Sequence, residues 1–276
     1  MKKIVLTGAA GRLGSYLREP LLKLADELVS SDIVEEIGKL HPNETYVSAD
    51  LSDLPAMIEL LKGADLVVHF GAIGDEAPFD EILQANIVGA YNIWEAAYQN
   101  GVKRVVYASS IHAVGMHKKT EFIGTDVPHR PDTYYGLAKC FAEDLASLYW
   151  DKRGLESVCM RILSCSPVAN PRAIGSWQSY DDLILLVEKS ITTQITGFSI
   201  IYGVSNNDRI TVNNAQASHI GYLPKDNAEQ YASKIFSEEP MLDPHSKSSV
   251  YQGGPFASVE LGKSGLATMK IKYDKT

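Results

Sequence analysis

A glycine-rich segment that directly follows a short apolar run, close to the beginning of the sequence, constrains the fold more than any other feature. Ile4-Val5-Leu6 is predicted to be a β-strand, and Gly8, Gly11 and Gly14 follow it at intervals of three residues. In a strand-to-helix connection the first glycine permits a tight turn, the second brings the backbone close to a pyrophosphate, and the third allows close helix packing. A βα unit that binds a dinucleotide is therefore predicted, with a glycine-rich turn without a ligand as the alternative.

Two further features indicate which dinucleotide is bound. The N–H groups at the beginning of the first helix, where Arg12 and Leu13 stand, are expected to face the phosphates. Asp32 ends the second predicted strand about 20 residues after the glycines, where a carboxylate can accept hydrogen bonds from ribose hydroxyls and repel a 2′-phosphate. No Lys or Arg lies within residues 30–33 to bind such a phosphate. NAD is therefore favoured over NADP, with a helix cap or a surface charge as the alternative role of Asp32.

Strands alternate with helices along most of the chain. Four segments have apolar residues at three- and four-residue spacing, and Asp53 is placed to cap the second of them. This alternation predicts an α/β fold, a Rossmann-type doubly wound parallel sheet with helices on both faces. The predicted strands are Ile4–Leu6, Leu28–Ser30, Thr45–Val47, Leu66–Phe70, Arg104–Ala108, Glu156–Ile162 and Ser199–Tyr202. The predicted helices are Leu13–Lys23, Leu54–Leu61, Phe79–Gln99 and Tyr134–Lys152.

The chain is expected to form a single domain over residues 1–276. Residues 1–165 contain the regular alternation and are predicted to be the dinucleotide-binding core. After Ser164 the pattern loosens into loops rich in Pro, Ser and Asn, so residues 166–276 are predicted to be mainly substrate-binding loops and helices with a tail. Within the last segment, Met269–Tyr273 alternates enough to be an edge strand.

The charge balance and the cysteines exclude several classes of function. The chain has a formal net charge of −8 and no run of Lys or Arg longer than a pair, which argues against nucleic acid or an anionic membrane as partner. It has no uninterrupted apolar stretch of about 18 residues, the length of a membrane span. Its three cysteines show no CxxC spacing, so neither a metal site nor a disulfide framework is predicted. We expect a cytoplasmic protein with a small-molecule substrate.

A tyrosine and a lysine at i and i+4 are the main catalytic candidates. Tyr135 and Lys139 project from one helix face, and an ammonium near a phenol lowers the pKa of that phenol, as a general base at neutral pH requires. Ser110 follows the strand Arg104–Ala108, at the edge where ligands meet open parallel sheets, and its hydroxyl can bond a reacting oxygen. The Tyr-Lys spacing alone is weak evidence, and it gains weight only beside the glycine loop.

The order and spacing of these residues resemble the short-chain dehydrogenases/reductases. Within that superfamily the sequence resembles the extended, sugar-acting branch, and specifically the uronate dehydrogenases, over nearly the whole chain to about residue 236. The segments that carry the resemblance are Ser109–Gly115, Tyr135–Lys139, Arg161–Cys165, Tyr180–Leu183, Ile201–Asn207 and Gly253–Phe256.

The resemblance implies an NAD-dependent enzyme that oxidises the C1 hydroxyl of a cyclic hexuronic acid, such as glucuronate or galacturonate, to an aldarolactone. Tyr135 would take the hydroxyl proton, Lys139 would lower the pKa of Tyr135 and bind the nicotinamide ribose, and Ser110 would hold the C1 oxygen. Asn86 matches the asparagine that supports the lysine through water in the superfamily, with a buried structural amide as the alternative. The resemblance also places four residues at the cofactor: Asp50, Leu51, Gly71 and Ala72.

The same resemblance predicts a substrate site. A uronate carries a carboxylate opposite C1, and Arg172, alone in its loop, is suited to bind it in a bidentate pair, with a solvated arginine as the alternative. His112 and Ser164 are expected at the ring hydroxyls, although His112 could equally be a packing residue. Gly74 and Ile111 also fall in this site, but neither carries the polar side chain usual in relatives. The exact sugar is therefore left open.

Three other functions remain open from the sequence. A nucleotide-sugar epimerase or dehydratase shares the fold, the NAD and the Tyr-Lys pair, but it usually has a larger C-terminal region. A dehydrogenase of a phosphorylated aldose would need several cations for the dianion. A non-catalytic NAD-binding sensor would have no need of Ser110, Tyr135 and Lys139. Pairing of the helices Phe79–Gln99 and Tyr134–Lys152 across a two-fold axis, as in relatives, predicts a homo-oligomer.

Overall fold

A parallel seven-stranded sheet forms the centre of the protein, which a computed structural model describes for residues 2–239 and 243–268. The strands are β1 (Lys3–Thr7), β2 (Glu27–Asp32), β3 (Glu44–Ser48), β4 (Leu66–His69), β5 (Arg104–Tyr107), β6 (Glu156–Ile162) and β7 (Phe198–Gly203). Their order in the sheet is β3-β2-β1-β4-β5-β6-β7, and every neighbouring pair is parallel. The predicted doubly wound α/β fold is therefore confirmed.

Helices cover both faces of this sheet. They are α1 (Arg12–Leu22), α2 (Leu54–Leu60), α3 (Phe79–Ile82), α4 (Gly89–Gln99), α5 (Tyr134–Arg153), α6 (Ala173–Ser176), α7 (Tyr180–Thr192), α8 (Ala232–Glu238), α9 (Lys247–Val250) and α10 (Gly265–Thr268). Within the described ranges, no helix combines the length and the apolar character needed to cross a bilayer.

The hydrophobic core consists of two main layers, one on each face of the sheet. Successive side chains of a strand point to opposite faces, so Ile4 and Leu6 of β1 pack into the layer that also contains residues of α1 and α7. Val5, between them, packs into the other layer with residues of α2, α4 and α5. Burial on both sides explains why these strands are continuous apolar runs rather than alternating ones.

The seven predicted strands and the four predicted helices are present. Asp53 caps α2 as expected, because its carboxylate accepts a hydrogen bond from the N–H of Ala56 at 3.1 Å. The segment predicted as one helix, Phe79–Gln99, is not uniform, since Leu83–Val88 forms a π-helix between α3 and α4. A single extra residue per turn in such a segment is a common feature of functional sites.

The region after Ser164 is more regular than predicted. Helix α7 has 13 residues and is capped by Ser179, whose hydroxyl accepts a hydrogen bond from the Asp182 N–H. It packs on α1 through the stacked rings of Tyr16 and Tyr180, whose centroids are 3.9 Å apart. Sequence analysis missed this helix because Pro and Ser around it were interpreted as loop. The predicted edge strand Met269–Tyr273 lies outside the described residues.

The strand order reverses between β1 and β4, which places a crevice at their carboxyl ends. Thr7 at the end of β1 pairs with Ser31 of β2 and with His69 of β4, and His69 pairs with Tyr107 of β5. These strands therefore end at one level, and the loops that follow them meet there. Ligands of open α/β sheets bind at such a crevice.

Candidate active site

The glycine-rich loop makes a turn that only glycine accommodates. Gly8 has φ of +76°, and a Cβ there would lie 2.5 Å from the backbone nitrogen of Gly71 in the loop after β4. A Cβ on Gly14 would lie 2.0 Å from the Gly8 carbonyl oxygen, while the Gly11 N–H donates to that same oxygen at 3.1 Å. The loop thus brings the beginning of α1 against the ends of β1 and β4, leaving a backbone surface for a phosphate.

Asp32 lies beside this loop. Its Oδ2 accepts a hydrogen bond from the Ala10 N–H at 2.9 Å, and its Oδ1 accepts one from the Ile33 N–H at 2.8 Å. The two bonds hold the carboxylate at the carboxyl end of β2, where the sequence predicts contact with a ribose. Each carboxylate oxygen has further lone pairs available for hydroxyl donors.

Arg12 and Leu13 begin α1, but their side chains are directed to other parts of the protein. The Arg12 guanidinium donates hydrogen bonds to the carbonyl oxygen of Cys165 and, at 3.4 Å, to the hydroxyl of Tyr180. Leu13 is partly buried against the sheet. The backbone N–H groups of these two residues are therefore the atoms suited to a phosphate, while the Arg12 side chain ties α1 to the loop after β6.

The residues predicted at the adenosine side of the cofactor gather around Gly71. A Cβ on Gly71 would lie 2.9 Å from Leu51 Cδ1 and 3.3 Å from Thr7 Oγ1, so a larger residue would displace the Leu51 side chain. Ala72 follows in the same loop. Asp50 accepts two hydrogen bonds from Ser52, one from its N–H and one from its hydroxyl, which fixes the turn before α2. The loops after β1, β3 and β4 thus meet at Gly71.

Tyr135 and Lys139 lie on the first turns of α5. Lys139 is 2 % exposed, its Nζ donates to the Ala108 carbonyl oxygen at 2.7 Å, and it lies 5.2 Å from the centroid of the Tyr135 ring. Burial lowers the pKa of Lys139 to about 7, although the charge of Glu143 opposes the shift. The ammonium is thus held beside the phenol in an environment where its proton is easily lost.

Ser110 joins this pair through the loop after β5. It is 5 % exposed, and its hydroxyl accepts a hydrogen bond from the His112 N–H at 3.2 Å, which caps a short 3₁₀ helix at Ile111–Val114. A Cβ on Gly136, directly after Tyr135, would lie 2.4 Å from the His112 carbonyl oxygen. The chain segments that carry Ser110 and Tyr135 are therefore in close contact.

His112 is oriented by an acidic residue that sequence analysis did not select. Its Nδ1 lies 2.8 Å from Asp132 Oδ2, and its ring packs 4.3 Å from the Phe256 ring and 5.7 Å from the Tyr135 ring, measured between centroids. The carboxylate of Asp132 is fully buried. A hydrogen bond to one ring nitrogen sets the tautomer of His112 and the direction of its other nitrogen.

Ile111, which is predicted in the substrate site, has a buried side chain. The residue is 0 % exposed and packs into an apolar cluster with Tyr202, Val204 and Val212. Its side chain therefore faces the core, because an apolar side chain in this loop gains free energy by burial. Only its backbone remains near Ser110.

The other predicted substrate residues lie in the loops that follow β4 and β6. Gly74 has open space where a Cβ would stand. Ser164 follows β6 and pairs with Trp177. Arg172 precedes α6, and its Nη2 donates to the Gln252 carbonyl oxygen at 3.3 Å. Sequence analysis did not select Lys119, a second basic residue that Arg172 influences. Burial lowers the pKa of Lys119 to about 8, and the charge of Arg172 is the second cause of this shift.

The structural role that was the alternative for Asn86 is observed. Asn86 lies in the π-helix, is 3 % exposed, and forms two hydrogen bonds with the backbone of Ile73, accepting from its N–H at 2.8 Å and donating to its carbonyl at 3.0 Å. Its amide thus holds the loop after β4. A water-mediated role toward Lys139 stays a prediction.

Two buried polar groups beneath the site were also missed. His69 Nδ1 lies 2.7 Å from Thr7 Oγ1, and burial, aided by the charge of Lys139, lowers the pKa of His69 to about 3. On the other side, Glu143 accepts hydrogen bonds from Ser109 at 2.5 Å and from Arg161 at 2.8 Å. A polar residue in a strand or helix gives no sequence signal of such pairing, because the partners are distant in the chain.

Comparison with known proteins gives consistent similarities. The model of the NAD dependent epimerase/dehydratase family matches residues 4–167. A uronate dehydrogenase of Pseudomonas putida is 43% identical over 256 residues, which are 92% of this chain and 95% of that protein. The crystal structure of a mutant uronate dehydrogenase from Agrobacterium tumefaciens, complexed with NAD, superimposes with a TM-score of 0.90 at 41% identity, covering 94% of this chain and 98% of the other. A glucuronic acid dehydrogenase from Chromohalobacter salexigens superimposes with a TM-score of 0.91 at 40% identity, covering 94% and 97%.

Proposed function

The chain belongs to the NAD dependent epimerase/dehydratase family and, within it, to the uronate dehydrogenases, and we propose that it oxidises C1 of a cyclic hexuronic acid. It is an NAD-dependent oxidoreductase that acts on hexuronic acids. The product at C1 is the aldarolactone, because removal of two hydrogens from a cyclic hemiacetal leaves the ring ester.

One observation carries the assignment of the chemistry to particular residues. Lys139 Nζ lies 5.2 Å from the Tyr135 ring centroid and bonds the Ala108 carbonyl, two residues before Ser110. This group stands at the carboxyl edge of the sheet, next to the loop whose Gly71 touches Gly8. A proton acceptor and a dinucleotide-binding turn at one crevice are what alcohol oxidation requires.

Each catalytic residue has a distinct role in this proposal. Tyr135 takes the proton of the C1 hydroxyl, and the Lys139 ammonium stabilises the resulting negative charge on the phenol oxygen. Ser110 donates a hydrogen bond to the C1 oxygen and so fixes it against Tyr135. Because these groups can hold only one orientation of the C1–O bond, they also decide which face of the sugar meets the cofactor.

NAD fits the glycine-rich crevice. The beginning of α1 lacks the side chains that would fill it, and Asp32 stands at the end of β2 with lone pairs available for ribose hydroxyls. The Gly11–Gly14 backbone would hold the pyrophosphate, and Leu51, Gly71 and Ala72 would border the adenosine side. When bound, NAD accepts the hydride from C1.

Arg172 binds the substrate carboxylate in this proposal. The Gln252 carbonyl orients its guanidinium at 3.3 Å, and its charge contributes to the lowered pKa of Lys119. A cationic subsite of this kind recognises the group that distinguishes a uronate from a neutral sugar. His112, directed by Asp132, and Ser164 would meet ring hydroxyls.

We also propose that two copies pair through α4 and α5. Large apolar side chains on these helices are exposed, as is typical of protein–protein interfaces. They are Tyr91 and Tyr98 on α4, and Leu137, Phe141 and Leu148 on α5, the last three in one stripe. Size-exclusion chromatography with light scattering tests this pairing: Leu148→Lys should shift the protein toward the monomer, and an unchanged mass would contradict it. A cytoplasmic location likewise stays a prediction.

Oxidation of a hexose 6-phosphate is the second candidate, favoured by one observation. The charge of Arg172 contributes to the lowered pKa of Lys119, so two basic residues influence this region, and a phosphate dianion prefers several cationic donors. An assay of NADH absorbance with NAD and glucuronate, galacturonate, glucose or glucose 6-phosphate separates the two functions. Turnover with a uronate supports the proposed function, and turnover with the phosphate alone would replace it.

A further inference from the structure

Glu76 is a buried carboxylate with two backbone partners in distant parts of the chain. It is 1 % exposed, and among the described residues no Lys, Arg or His forms an ion pair with it. Its Oε2 accepts a hydrogen bond from the Tyr135 N–H at 2.9 Å, and its Oε1 accepts one from the Gly262 N–H at 2.8 Å. One side chain thus links the beginning of α5 to the C-terminal segment.

The preceding residue, Asp75, binds the next part of the same segment. Its Oδ2 accepts from the Ser264 hydroxyl at 2.5 Å and its Oδ1 from the Gly265 N–H at 3.0 Å. Residues 252–266, which we call the C-terminal strap, therefore lie along the loop that carries Gly74.

The strap also reaches the proposed substrate residues. The Gly253 N–H donates to the Gly115 carbonyl at 2.9 Å, the Gln252 carbonyl accepts from Arg172 at 3.3 Å, and Phe256 packs 4.3 Å from the His112 ring. Glu76 is the point where this strap is connected to the helix of the general base.

Polar contacts to the backbone fix the first turn of α5. The Thr133 hydroxyl accepts from the Gly136 N–H at 3.0 Å, and Gly136 packs against the His112 carbonyl. Glu76 binds the N–H of Tyr135 itself, and its negative charge near a helix N-terminus is favourable. The bond from Glu76 reaches Tyr135 directly from another part of the chain.

From this geometry we propose that Glu76 is a positioning residue, which sets the place of Tyr135 and makes it depend on the docked C-terminal strap. The proposal rests on the proposed role of Tyr135 as the general base. A carboxylate is required because both partners are N–H donors: an amide would present its own N–H₂ to one of them. The bond would then be lost at Tyr135 or at Gly262, and a misplacement of about 1 Å at a catalytic group lowers the rate by roughly 10²-fold.

The test compares Glu76→Gln with Glu81→Gln, which changes an exposed carboxylate of α3 in the same chemical way. Glu76→Gln should lower kcat for the uronate by about 10- to 100-fold, leave the Kd for NAD within about twofold, and raise the isotope effect seen with C1-deuterated uronate. Hydrogen exchange of the amide at Tyr135 should be faster than in the wild type. Glu81→Gln should match the wild type in every measurement.

Several outcomes would overturn the proposal. Unchanged kcat and amide exchange in Glu76→Gln would do so, and so would an Asp75→Asn variant that keeps wild-type kcat and wild-type amide exchange at Tyr135, because Asp75 holds the strap and Tyr135 would then not depend on it. If Glu76→Gln does not fold, Glu76→Asp keeps the charge and reaches only one partner, and full activity of that variant would equally refute the role. Wild-type protein inactive on every uronate would refute the proposed function instead, and the amide exchange would still decide whether Glu76 holds Tyr135.

Discussion

Lys139→Met should stabilise the apoprotein while removing its activity. Lys139 is 2 % exposed. Its ammonium donates a 2.7 Å hydrogen bond to the carbonyl oxygen of Ala108, which is a neutral acceptor. Burial lowers its pKa from 10.5 to about 7. Because each pKa unit corresponds to about 1.4 kcal/mol, the buried ammonium lowers the free energy of unfolding by about 5 kcal/mol below pH 7. Met keeps most of the side-chain volume without a charge, and the loss of the Ala108 bond costs about 1 kcal/mol. We expect a net gain of about 2 to 4 kcal/mol.

The pH dependence follows from the direction of the shift. Because the folded-state pKa is the lower one, the unfolded chain binds more protons between pH 7 and 10.5, and the cost of Lys139 disappears as the pH rises through that range. The gain from Lys139→Met should therefore be largest near pH 6 and small near pH 10.

Urea unfolding of the apoprotein at a fixed protein concentration measures this difference at several pH values. Lys152→Met is the matched control, because it removes an exposed ammonium from the last turn of the same helix and should be slightly destabilising. A loss of stability in Lys139→Met, or a gain that does not change with pH, would refute the reasoning.

Three further predictions concern catalysis. Tyr135→Phe should lower kcat by about 10²- to 10⁴-fold with little change in NAD binding, because only the proton-accepting oxygen is lost. Steady-state kinetics and a titration with NAD measure these two effects. Unchanged turnover would show that Tyr135 is not the general base. Wild-type kcat/KM should fall as the pH drops, because a general base that has regained its proton cannot take the C1 hydroxyl proton, whereas a profile flat from pH 5 to 8 would contradict the assignment. Arg172→Ala should lower kcat/KM for a uronate by the equivalent of about 2 to 4 kcal/mol of transition-state stabilisation. An equal loss for a neutral sugar would show that Arg172 does not bind the carboxylate.

The sheet could be predicted because its signals are local. Apolar runs such as Leu66–His69, separated by helical patterns, identify buried parallel strands without any knowledge of their neighbours. The turn at Gly8 and the cap at Asp53 are equally local, since each depends on a few adjacent residues. Helix α7 was missed because its surroundings contain Pro and Ser, although Ser179 followed by two acidic residues was a usable beginning.

The site was predictable only where its residues lie close in sequence. The Tyr135–Lys139 pair is fixed by helix geometry, and Ser110 by its strand. The roles of Glu76 and Asp132 depend on partners that the fold brings from elsewhere, 59 residues away for the Glu76–Tyr135 bond. Ile111 illustrates the reverse case, because neighbours distant in sequence decide that its side chain is buried rather than exposed to a ligand.

Transfer of deuterium from C1 tests the central claim most directly. The protein would be incubated with NAD and either glucuronate or galacturonate deuterated at C1, and the products followed by NMR. Oxidation at C1 by direct transfer predicts NADH that carries the deuterium at C4 of the nicotinamide, formed in equal amount with an aldarolactone. Unlabelled NADH, or a product oxidised at another carbon with deuterium retained at C1, would contradict the account.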